Sequence, residues 1–231
     1  LFTFIAGSSG REYDIKDLRL KGLLLVGYYS APFHEKAKLT NVSIVDSTIT
    51  GTEANGLLAG IGGSAHYGTC IQCYAENLKI TGKTKASAIG GEAHISSFVK
   101  NSEIFNSALP GQAHVTGFGS LTGKSKYCVN SGADGVTVQG GYTNGEESFA
   151  PDPGAGPVGG LLGNAELVYK CTVKNANVRS SGKYAGGLIG RLFPSAKFSG
   201  YSPISIIQDS KVTNVDIIAG TDPNNVSAIG G

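Results

Sequence analysis

The sequence predicts an all-β chain folded as a right-handed parallel β-helix, a β-solenoid of about six to seven coils with Gly/Pro-rich loop inserts. Three observations carry this prediction: a composition suited to short strands and tight bends, a recurring line of inward-facing residues, and a Gly-flanked apolar segment ahead of each recurrence. Gly supplies 35 of the 231 residues without a three-residue period, and the apolar fraction of 40% is too high for a disordered chain. Trp and Met are absent, while Val, Ile, Thr, Ser, Asn and Gly dominate, as short strands joined by bends require.

The recurring line starts as Val42-x-Ile44-x-Asp46-x-x-Ile49 and Cys73-x-Ala75-x-Asn77-x-x-Ile80. It is read again as Ser102-x-Ile104-x-Asn106-x-x-Leu109 and Val129-x-Ser131-x-Ala133-x-x-Val136, then as Cys171-x-Val173-x-Asn175-x-x-Val178 and Ser210-x-Val212-x-Asn214-x-x-Ile217. Residues two apart on a strand share a face, so the small and β-branched pair at the start points inward. The Asn or Asp two residues later tolerates a left-handed backbone and marks a corner, which predicts a structural ladder of Asp46, Asn77, Asn106, Asn175 and Asn214. An aliphatic residue three positions beyond opens a strand on a new face.

Each copy is preceded by a short apolar segment flanked by Gly: Leu23 to Gly27, Gly56 to Gly60, Ser87 to Gly91, Thr116 to Gly119, Gly159 to Gly163, Gly186 to Gly190 and Ser227 to Gly231. Gly is expected where adjacent backbones bend in a crowded interior. At least two strands per coil follow, and three fit the spacing better. Strands repeating in one direction are parallel, and parallel crossovers are right-handed in about 98% of cases. The whole of 1–231 reads as a single module, a fragment of a longer repeat protein, with a loop insert at 141–157. Open edges at its ends predict end-to-end self-association or further coils.

Net charge is +2 and no basic cluster is longer than Lys124-Ser125-Lys126, which argues against nucleic acid as a partner. No apolar run approaches the roughly 20 residues of a membrane-spanning helix. Cys73 and Cys171 fall in the inward slot and are expected as core thiols about three coils apart, so no disulfide is predicted. The redox states of Cys70 and Cys128 stay open.

Candidate chemistry is sparse, and no cofactor is expected. The 17 acidic residues are scattered rather than gathered on one face, which argues against a β-helical polysaccharide-processing enzyme. His34, His66 and His94 precede the inward positions of three copies by eight, seven and eight residues, a spacing that could stack them into a metal-binding row. The competing reading makes them exposed loop residues without a ligand. Aromatic residues just after the Gly-rich strands or in inserts offer a binding surface for a carbohydrate or a protein partner: Tyr28, Tyr29, Phe33, Tyr142, Phe149, Phe193, Phe198 and Tyr201.

The run Gly-Gly-Leu-Ile/Leu-Gly, followed by Cys or Ser, then Asn and Val/Ile, resembles the GLUG repeat. The segments from Gly186 to Gly220 and from Gly159 to Gly182 carry that resemblance most clearly. It implies a secreted or cell-surface bacterial protein, adhesin-like, in which such repeats form non-catalytic stalk or adhesive modules. Ala133 stands where the pattern has a corner Asn, and the first copy lacks the Gly pair before Gly27. Function is therefore expected to be structural or adhesive, with a polysaccharide-processing enzyme and a self-assembling fibre subunit as the alternatives.

Overall fold

The computed structural model describes residues 13–27, 37–51, 57–61, 69–82, 85–90, 93–106, 114–118, 124–140, 158–180, 185–192, 206–219 and 226–227. Every strand pairing among them is parallel, and the chain winds as a β-solenoid. Among the described residues each turn after the first passes through four strand segments, one more than the sequence predicts.

The first face stacks β1 (Tyr13–Lys16), β4 (Ala37–Thr40), β7 (Thr69–Ile71), β10 (Ala93–Ile95), β14 (Lys124–Val129), the end of β17 (Val158–Tyr169) and β21 (Ile206–Gln208). The second begins with β2 (Arg19–Lys21) and continues through the first halves of β5 (Ser43–Gly51) and β8 (Tyr74–Gly82). It then runs through β11 (Phe98–Lys100), β15 (Gly132–Asp134) and the first halves of β18 (Thr172–Ser180) and β22 (Lys211–Ala219). β3 (Leu24–Gly27), β12 (Glu103–Asn106) and β16 (Thr137–Gly140) join the second halves of β5, β8, β18 and β22 in the third face. The Gly-flanked segments build the fourth: β6 (Leu57–Ile61), β9 (Lys85–Ile89), β13 (His114–Phe118), the start of β17, β19 (Ala185–Gly186), β20 (Ile189–Leu192) and β23 (Val226–Ser227).

Like residues stack on like through the core. One row of the third face reads Leu25, Ile49, Ile80, Ile104, Val138, Val178, Ile217, and those from Ile49 to Val178 are fully buried. The matching row of the second face is Leu20, Ile44, Ala75, Val99, Ala133, Val173, Val212. Burial of these side chains, at roughly 25 cal/mol per Å² of apolar area, is the main term holding one coil to the next.

Two left-handed corners shape each coil. The first lies at Asp17, Asn41, Gln72, Ser96, Asn130, Lys170 and Asp209, and the second at Gly22, Asp46, Asn77, Asn101, Gly135, Asn175 and Asn214, all with positive φ. That conformation costs a non-Gly residue about 1 kcal/mol or more. Here the turned N–H is satisfied by the neighbouring coil, as in Asn41 N–H to Ile71 O and Ser96 N–H to Val129 O, both 2.9 Å. Side chains add a second set of bonds. Asn77 Nδ2 donates to Asp46 Oδ1 at 2.9 Å, Asn175 Nδ2 to Asp134 Oδ1 at 2.9 Å and Asn214 Nδ2 to Asn175 Oδ1 at 2.8 Å.

Asn106 is not in this ladder. It lies inside β12, in register with Gly82 and Gly140, and the corner of its coil is Asn101, with φ 45°. Both corners of a coil follow one local pattern, a left-handed residue and then an inward one. A five-residue slip therefore reproduces the motif, as Ser97-x-Val99-x-Asn101 and Ser102-x-Ile104-x-Asn106 show. Likewise Ala133 replaces no corner residue: it is a buried strand position paired with Val99 and Val173, and Gly135 makes the turn at φ 66°. A first coil, Leu18-x-Leu20-x-Gly22-x-x-Leu25, precedes those found by motif, and Leu24–Gly27 accordingly belongs to the third face rather than the fourth.

Candidate functional site

The first face carries charge at Asp14, Lys16 and Lys38 on β1 and β4 and then a strip without it. Each of its rungs is a three-residue stretch whose middle residue points inward, giving the row Ile15, Leu39, Cys70, His94, Cys128, Val168, Ile207. The flanking residues therefore point outward in two rows. From β7 to β21 these are Thr69, Ala93, Tyr127, Leu167, Ile206 and, beside them, Ile71, Ile95, Val129, Tyr169, Gln208, with no formal charge in either row. Tyr127 and Ile206 are each 46% exposed and Ile95 is 38% exposed. Just around the corner, Phe98, 43% exposed, and Tyr74 extend the apolar surface onto the second face. The Tyr74 hydroxyl is pushed up to about 12, first by desolvation and then by the Glu76 carboxylate, so it stays neutral at physiological pH. Lys170 Nζ sits 5.1 Å from the centroid of the Tyr169 ring.

Charge is concentrated on the second and third faces, where it alternates. Along one outward row the in-register neighbours are Glu76, Lys100, Asp134 and Lys174, and Lys79 stands beside Glu103. Along this row each carboxylate therefore has a lysine, not a second carboxylate, on the next rung. Among the described residues no three His, Cys, Asp or Glu side chains are grouped to hold a metal ion.

Asp46 shows how the corners bind charge. The hydrogen bond from the Asn77 amide, helped by Lys21 Nζ at 3.5 Å, holds its carboxyl below the usual carboxylate range. A lowered folded-state value means that the contribution to stability is present above the unfolded-state value and is lost as pH falls through the folded one. NMR titration should find the Asp46 midpoint lowered, and Asn77→Ala should move it upward; an unchanged midpoint in that variant would remove the hydrogen bond as its cause.

His34 and His66 lie outside the described residues. His94 is fully buried at the middle of β10, and its neighbours in the inward row are Cys70 and Cys128, not histidines. On each neighbouring rung the position beside His94 is thus a cysteine, and His94 itself is a core residue rather than an exposed loop one. The corner between first and second faces reverses the alternation, which the sequence spacing alone does not register. Tyr28, Tyr29, Phe33, Tyr142, Phe149, Phe193, Phe198, Tyr201 and the insert 141–157 also lie outside the described residues. The aromatic and aliphatic strip containing Tyr127 and Tyr169 was not anticipated. Its signal is a three-residue stretch with outward apolar ends just before a corner, masked because Gln72, Ser96 and Lys170 make that corner as readily as Asn.

All four cysteines are buried thiols. Cys73 and Cys171 occupy the slot held by Ser97, Ser131 and Ser210 in other coils, where each Ser hydroxyl donates to the carbonyl two residues back. Those hydroxyls also accept a backbone N–H from the preceding coil, as from Cys73 to Ser97 Oγ and from Cys171 to Ser210 Oγ, both 3.1 Å. The Cys171 thiol imitates the donation, reaching Tyr169 O at 3.4 Å, and it also meets Cys128 Sγ at 3.6 Å.

No helix among the described residues is long and apolar enough to cross a membrane. No protein-family model, curated protein or solved structure matches the chain.

Proposed function

We propose that the chain is a non-catalytic structural and adhesive module of a secreted or cell-surface protein, of GLUG-repeat type, that holds a carbohydrate chain against its first face. The uncharged strip of Ile71, Ile95, Tyr127, Val129, Leu167 and Tyr169 is the observation that carries this reading. Its four rungs span about 14 Å, and it is two residues wide. A standard protein interface needs about 800 Å² per partner, several times that strip. A narrow linear glycan, stacking its apolar ring faces on the tyrosines, matches the shape. The alternating charges of the second face support the non-catalytic part of the reading, since along that described row no two carboxylates are neighbours, as a glycosidic acid/base pair would require.

Glycan-array binding followed by calorimetry on the best ligand tests the proposal. Tyr127→Ala and Tyr169→Ala should each weaken binding by about tenfold, while Lys174→Ala on the second face leaves it unchanged. Failure of every glycan to bind, or equal loss in all three variants, defeats the carbohydrate reading. Release of new reducing ends from a bound glycan would make the chain an enzyme.

A further inference from the structure

The core brings two cysteines from successive coils, 43 residues apart in sequence, to an Sγ–Sγ distance of 3.6 Å. Cys128 points inward from β14, between His94 and Val168 in the row of the first face. Cys171 follows the Lys170 corner of the next coil. Both are fully buried. Neither packing nor hydrogen bonding requires sulfur at 171, because Ser131 and Ser210 fill the same slot in the adjoining coils with the same local bond to the carbonyl two residues back. The fold therefore places a thiol where a hydroxyl suffices, and aims it at the one neighbouring coil that carries a second thiol at that height.

We propose that Cys128 and Cys171 form an intercoil disulfide when the chain folds in an oxidising environment, a covalent staple joining two turns of the solenoid. Closing the bond needs the sulfurs to approach from 3.6 Å to about 2.05 Å, within the reach of side-chain rotation and a small backbone adjustment. The oxidant is a low-molecular-weight disulfide, RSSR. One cysteine thiolate attacks an RSSR sulfur and displaces a thiolate that takes up a proton, giving a protein–SR mixed disulfide. The second cysteine, deprotonated, attacks the protein sulfur and displaces the other RS⁻, which is protonated in turn. Two electrons pass from the cysteines to RSSR, and the products are one protein disulfide and two RSH.

Desolvation first, and then the hydrogen bond shared with Cys171, raise the Cys128 thiol, while that shared bond lowers the Cys171 thiol. Cys171 is thus the better thiolate of the two. Because both sulfurs are out of solvent in the docked coils, exchange with RSSR belongs to folding, before the coil carrying Cys171 closes over Cys128. Cys70 and Cys73 form the contrasting pair. They belong to one coil, separated by the Gln72 corner; their thiols also share a hydrogen bond, and they reach Gly90 O and Leu39 O at 3.2 and 3.6 Å. A bridge there would close a loop of two residues and staple nothing to a neighbour.

The test is to refold the reduced, urea-unfolded full chain in a buffer of reduced and oxidised glutathione, quench with an alkylating agent and map disulfides by mass spectrometry without reduction. A Cys128–Cys171 linked peptide is expected as the main product. It should be absent from Cys171→Ser, which folds because Ser already fills this slot in both adjoining coils. The oxidised wild type should unfold with an equilibrium constant about 10² to 10³ lower than the reduced form. A native refolded chain with all four thiols alkylated, or one bridged only between Cys70 and Cys73, would overturn the proposal. Neither outcome bears on glycan binding by the first face.

Discussion

Ile80→Ala is expected to remove about 3 to 4 kcal/mol from the stability of the folded chain, the loss typical of deleting a fully buried aliphatic side chain that its surroundings cannot refill. Ile80 is fully buried and lies between Ile49 and Ile104, themselves fully buried, in an unbroken aliphatic row. Those neighbours are fixed by backbone pairing on both sides, so the cavity cannot collapse without breaking register with one coil. In a stack where each coil contacts only the next, the loss falls on two interfaces at once. The same truncation at Ile217, which is only partly buried in the last described rung of that row, should cost about half as much or less. Lys79→Ala, exposed and adjacent in sequence to Ile80, should stay within about 0.5 kcal/mol. Urea denaturation of the three variants checks this. Equal losses at 80 and 217 would show that stability is not built from stacked interior rows.

The second large effect is expected at Gly160→Ala, where a single added methyl should cost about 3 kcal/mol. A Cβ built on Gly160 lies 2.3 Å from Gly187 O and 3.2 and 3.3 Å from side-chain methyls of Val173 and Val178. The nearest obstacle is a backbone carbonyl of the adjoining coil, which cannot swing aside as a side chain can, so overpacking has to separate two coils of the fourth face. Gly22 is the control. Nothing lies within 4 Å of its added Cβ, although its φ is +66°, so Gly22→Ala should cost only the left-handed penalty of about 1 kcal/mol. Thermal and urea unfolding of both variants separates close approach from backbone conformation. A Gly160→Ala variant no worse than Gly22→Ala would mean that the coils are spaced more loosely than the structure places them.

These two sites mark how far the residues alone carried. The inward rows were legible because Ile44, Ala75, Val173 and Val212 recur with period two before an Asn or Asp, and parallel winding follows once such a line repeats. The middle coils were misregistered for a physical reason. Asn101 and Asn106 are five residues apart, which is the separation of the two corners within one coil, so a motif built on either corner fits both. At Gly135 the turn is made by a residue that needs no amide to favour positive φ, and the apparent gap at Ala133 was a slip of two.

The candidate strip was harder to see for the same reason. A left-handed residue lies between inward Cys128 and inward Ser131, so counting by twos across it turns the strand inside out. Val129 becomes a core residue by that count and Cys128 an outer one, which hid both the outward row containing Tyr127 and the contact between Cys128 and Cys171.

By itself the sequence determined strand, corner and core. Alternating small and β-branched residues cannot bury their apolar side except by stacking on copies of themselves, and Asn, Asp and Gly state where the chain turns. Tertiary structure alone decided which rungs lie side by side, and hence which residues share a surface. Gln72, Ser96 and Lys170 adopt the same turn as Asn only because a carbonyl of the next coil receives the N–H at each, and that partner exists nowhere in the local sequence.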